Sequence, residues 1–170
     1  TLSDEALRRL LLSEEGQGSV ARSADELRDQ PSLAEVSPRI RVELALHSGD
    51  AERIRTQLGD AVQACLDAGA TGGAIRIQQA GLAYLEGAAR REAHLKLADI
   101  CSQAGIYERA HEEARALLDD PGASASLRAR AAVTSAGALV AGSRLDEAVA
   151  DLARVPPDAS PALRAEAARE

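Results

Sequence analysis

The side chains that could do chemistry are few and scattered. His47, His94 and His111 are the only histidines, and they lie far apart in sequence. His111-Glu112-Glu113 sets an imidazole beside two carboxylates, but a helical zinc pair needs a second His four residues from the first. The paired acids Glu14-Glu15, Glu112-Glu113 and Asp119-Asp120 read as solvated helix faces. General acid–base work needs carboxylates in a defined pocket, and nothing in the sequence specifies one. Gly72-Gly73 lacks the Lys-Ser/Thr that would follow in a phosphate-cradling loop, so it reads as a turn. There is no nucleophile elbow and no HExxH. Cys65 and Cys101 do not have metal-pair spacing and sit among helical apolar residues, where free Cys behaves as a small hydrophobe. The expectation is a protein that is not an enzyme, with no metal and no cofactor.

Composition bounds the elements that must carry any site. The chain has 170 residues with 37 Ala and 22 Leu, and Tyr84 and Tyr107 are its only aromatics. Ala and Leu are the best helix formers, whereas strands favour β-branched and aromatic residues. An all-α fold follows. The net charge of −7 argues against a general nucleic-acid binder and disfavours anionic membranes. No apolar run approaches the ~18 residues of a membrane-crossing helix, so no membrane insertion is expected. No signal peptide begins the chain. The absence of Met suggests a piece of a longer protein, cytoplasmic by preference, or periplasmic if a signal peptide has been removed.

Turn signals divide the sequence into about ten helices joined by short loops. Ser3 and Ser23 cap N-terminal helices within 1–36. Ser37-Pro38 opens a helix with Ile40, Leu44 and His47 on one face, and Ser48-Gly49-Asp50 ends it. Asp50 caps a long helix through Ile54, Leu58, Val62 and Leu66, despite Gly59. Gly69 to Gly73 reads as a flexible turn. Ile75, Gln79, Leu82 and Leu85 form the inner face of the next helix, which Gly87 ends. Residues 37–90 therefore read as diverged helical pairs, with Ile40 to Leu58 a candidate repeat. Residues 91–159 read as two clearer repeats, and Ser160-Pro161 opens a final helix over 160–170.

The repeat signal is sharpest from Arg91 to Ser160. Leu97-Ala98, Gly105, Tyr107 and Ala110 are followed 38 residues after Ala110 by Ala148. In the second copy Leu145 takes the aromatic's place, and Gly142 to Ala148 is one residue longer than Gly105 to Ala110. This pattern resembles tetratricopeptide-type helical repeats. The resemblance implies a right-handed α-solenoid of stacked antiparallel helix pairs, with Ala110 and Ala148 buried where paired helices cross. It also implies that the first helix of each repeat lines a concave groove. Carried onto Arg91 to Gly105, the partner-facing residues are Glu92, Lys96, Asp99 and Gln103, whose spacing puts them along one stripe. The competing reading of that stripe is an ordinary solvated face.

The function expected is a protein–protein interaction or scaffold module of a larger bacterial protein. Its partner would be a peptide or helix with apolar and basic character, with self-association through the terminal helices as a further option. Two rivals remain. One is a sensor arm of a signalling ATPase or transcriptional regulator. The other is a periplasmic scaffold of a secretion or polysaccharide-export system.

Overall fold

The computed structural model describes residues 37–155. These residues are all-helical. Their helices are α1 (Pro38–Ser48), α2 (Ala51–Asp67), α3 (Thr71–Gly81), α4 (Gly87–Gln103), α5 (Tyr107–Leu118), α6 (Ala125–Ala141) and α7 (Leu145–Leu152). A 3-10 turn, Leu82–Tyr84, follows α3. The expected helices within 1–36 and over 160–170 lie outside the described residues. The chain divides into two compact units, one ending at Tyr84 and one beginning at Leu85.

In the first unit α2 packs on both α1 and α3. Proline at the first position of α1 costs no hydrogen bond, because that N–H has no helical partner. Ser37 makes no side-chain cap there. Asp50 does cap α2, accepting from the Arg53 amide at 3.1 Å. Ile54, Leu58, Ala61, Val62 and Cys65 form the buried stripe of α2. His47 is exposed, so the inner face of α1 is Ile40, Val42, Leu44 and Ala45. A Cβ on Gly81 would lie 2.5 Å from the Leu58 side chain, so any larger residue there would force Leu58 to shift.

In the second unit α5 packs between α4 and α6, α4 also touches α6, and α6 packs on α7. Leu95 and Ala98 of α4, Ala114, Leu117 and Leu118 of α5, and Leu127, Ala131 and Ala132 of α6 share one core with Ala123. Small residues at these positions let the helices approach closely. Ala136, Leu139 and Ala148 make a second cluster, against which Leu152 packs.

The helix bounds show a recurrence that the sequence only partly displayed. α2, α4 and α6 each have 17 residues. They begin at Ala51, Gly87 and Ala125, so the intervals are 36 and 38. Each is followed by one residue in the left-handed region: Gly69 at φ 67°, Gly105 at 75° and Ser143 at 63°. The turn bonds repeat in step. The amides of Ala70, Ile106 and Arg144 donate to the carbonyls of Cys65, Cys101 and Leu139. Five residues after each left-handed position comes a buried alanine: Ala74, Ala110 and Ala148.

Three local expectations are corrected. Gly142 is not the counterpart of Gly105. Its φ is −83° and Ser143 takes the left-handed turn, so the second copy has no extra residue. Gly72 and Gly73 are not turn residues but sit in the first turn of α3. Gly87 does not end a helix; it opens α4 at φ 53°, and the buried face before it uses Gln78 with Gln79 exposed.

Candidate functional site

The stripe expected to face a partner lies on α4, and α6 meets part of it. Glu92 is exposed and pairs with Arg130 of α6 at 3.0 Å. Asp99 is half-buried and accepts a 2.8 Å hydrogen bond from the Thr134 hydroxyl of α6. Burial pushes the Asp99 carboxyl above the ordinary aspartate range, against the opposing pull of Thr134 and Arg130. Lys96 is half-buried, and Gln103 is exposed in the last turn of α4. Two of the four residues are thus joined to the neighbouring first helix. With half-buried Val133 and Gly137 of α6 they make a mixed apolar and acidic surface.

The opposite flank of α4 is fixed by polar contacts. His94 Nδ1 lies 2.7 Å from Glu113 of α5, which Arg109 also approaches at 3.8 Å. Arg91 donates to Asp120 at 2.6 Å, and Asp120 also accepts from the Gly122 amide at 2.7 Å. These two bonds hold the Asp120 carboxyl below its usual range and tie the α5–α6 loop to the start of α4. Asp119 pairs with Arg154. Asp120 is therefore an anchored loop acid, while Asp119, also past the end of α5, keeps a largely solvated side chain. Glu14 and Glu15 lie outside the described residues.

A buried polar cluster was not foreseen. His111 of α5, Ser135 of α6 and Asp151 of α7 are 5%, 0% and 3% exposed. His111 Nδ1 lies 2.7 Å from Ser135 Oγ, and Ser135 Oγ donates to Asp151 Oδ2 at 2.5 Å. The hydroxyl has one proton, which goes to the carboxylate, so His111 Nδ1 must donate to it. These are the residue types of a hydrolytic triad in the wrong order. In a triad the histidine stands between serine and carboxylate, and the serine is open to substrate. Here the serine stands in the middle with its proton committed and its oxygen sealed from solvent. The arrangement satisfies buried groups and links three helices. The available signal was register: Ser135 occupies the position of Ala61 and Leu97 in the earlier pairs, where the core is apolar.

Cys65 and Cys101 are free and buried, 36 residues apart, at one repeat position that Leu139 fills in the third pair. Burial raises both thiols. Among the described residues no three metal-ligating side chains gather, and no helix is long and apolar enough to cross a membrane.

No protein-family model, curated protein or solved structure matches this chain.

Proposed function

We propose that the chain is a helical-repeat protein-interaction module without an enzymatic role of its own. Its helix pairs would stack as a right-handed, tetratricopeptide-like solenoid, about ten helices in all. The recurrence at 36 and 38 residues of a 17-residue helix, a left-handed turn residue and a buried alanine is the observation that carries this reading. Stacked pairs expose their first helices side by side, as α4 and α6 lie in contact here. Glu92, Lys96, Asp99 and Gln103 then form the partner face, with Val133 and Gly137 beside them. A peptide or helix with basic and apolar side chains complements that surface, since Asp99 and Glu92 offer carboxylates and α6 offers small apolar residues.

A displayed library of short peptides selected against the protein provides the test. Selected binders should combine basic and apolar residues. Glu92→Lys should weaken them at least tenfold. The melting temperature should change little, because exposed ion pairs contribute roughly 0–1 kcal/mol. Peptides that bind the Glu92→Lys protein as well as the parent would remove this face from consideration.

A further inference from the structure

The outer face of α7 carries the most exposed large apolar side chains among the described residues. Val149 is 67% exposed, Leu145 61%, and Val140 at the end of α6 is exposed as well. The preceding pair shows which part of this face a following helix covers: Tyr107, the counterpart of Leu145, stays exposed, but the positions further along the helix do not. There the counterpart of Val149 is His111 and that of Leu152 is Ala114, and both are buried because α6 packs over α5. The seat of α6 on α5 is made by Ala123, Leu127, Ala131 and Ala132.

The chain beyond α7 repeats that seat. Residues 157–168 match 121–132, 36 positions earlier, at eight of twelve positions. The matches include all four seating residues: Ala159 for Ala123, Leu163 for Leu127, Ala167 for Ala131 and Ala168 for Ala132. Ser160 stands where Ser124 caps α6 by accepting from the Leu127 amide. The differing positions include 125 and 130, which are not buried in α6. Identity concentrated on a packing face, opposite an apolar surface of matching register, is what a further helix of the same series requires.

We propose that residues 161–168 are the opening turns of the next first helix, capped by Ser160, and that with Ala159 they seat on α7. Leu163, Ala167 and Ala168 close over Leu152 and the Val149 side of that helix, as Leu127, Ala131 and Ala132 close over α5. The occupant of this apolar face is thus the chain itself rather than a second copy.

Hydrogen exchange on the full chain tests this. In dilute protein the amides of residues 162–168 should exchange at least ~100-fold more slowly than in a free peptide of the same sequence. The protection should not depend on protein concentration. Val149→Glu, at an exposed position, and Leu163→Glu should each return these amides to within a few-fold of the peptide rate. Exchange over 95–100 should stay as in the parent, which shows that the rest of the second unit is intact. Peptide-like exchange in the parent overturns the proposal. Protection that appears only as the protein dimerises assigns the face to a second copy and overturns it too. Protection untouched by both substitutions means that the segment is ordered against another surface, and the seat on α7 is then wrong.

Discussion

Asp99 and Asp120 lie in the same unit and should respond to pH in opposite senses. Asp120 is held below its ordinary range, so its contribution is present at neutral pH and lost as pH falls through its folded-state value. Asp99 is pushed up, so the folded state keeps its proton longer than the unfolded chain. Stability is then lost as pH rises through that raised value. Asp120→Asn should lower the melting temperature at pH 7, and Asp99→Asn should raise it. The Asp99 difference should fade below about pH 4, where that carboxyl is protonated in either state, whereas the Asp120 difference should persist to lower pH because its folded-state value lies below the ordinary range. Thermal melts from pH 3 to 8 check both, and a destabilised Asp99→Asn at pH 7 would contradict the burial argument. Ser135→Ala should cost about 1–3 kcal/mol in denaturant unfolding, because it leaves two buried polar groups without the hydroxyl between them. The grouping of these three residues was not legible in the sequence, although the register of Ser135 was. Its members are 24 and 16 residues apart, and only the packing of three helices brings them together.

At the scale of the helix pair, the left-handed residue and the buried alanine define the unit. Ser143 takes a conformation at φ 63° that costs a residue with a Cβ about 1 kcal/mol. Ser143→Gly should therefore stabilise by about 0.5–1 kcal/mol, and Gly105→Ala should destabilise by a similar amount or more. Ala110 is fully buried. Ala110→Glu would place an unpaired charge and extra volume there, at a cost on the order of 3 kcal/mol or more by denaturant titration. Unchanged midpoints would show that the crossing tolerates both. The pair α4–α5 was legible because Gly105 and Ala110 are the residue types such a turn demands. The pair α6–α7 was read one residue out of register, since a neighbouring glycine drew the assignment from Ser143 to Gly142. The pair α2–α3 was missed because Gly69, Gly72 and Gly73 look like a flexible turn. In fact Gly69 is the left-handed residue, and the other two lie in the first turn of α3.

Over the whole molecule, composition sufficed for the helical class: a chain this rich in Ala and Leu with almost no aromatics has little with which to build a sheet. Circular dichroism should show helix without strand. The packing of the core could not be read so far ahead, because alanine gives little contrast between buried and exposed faces. α6 buries Ala129, Ala131, Ala132, Ala136 and Ala138 in a helix whose exposed side also carries Ala, and its face emerges only from contacts. The proposed partner stripe shows the same difficulty. Its spacing was visible, but not that α6 would engage Glu92 and Asp99.

The repeat position shared by Cys65 and Cys101 has a practical consequence. It places one protected thiol in each compact unit, and the chain has no other cysteine. A thiol-specific reagent applied under native conditions can reach either sulfur only when its own helix pair opens. Peptide mapping of the modified protein therefore gives two clocks, one for each unit, with no label introduced. Added partner should slow the Cys101 clock if it binds across α4 and α6, since the ligand holds closed the pair that contains that thiol.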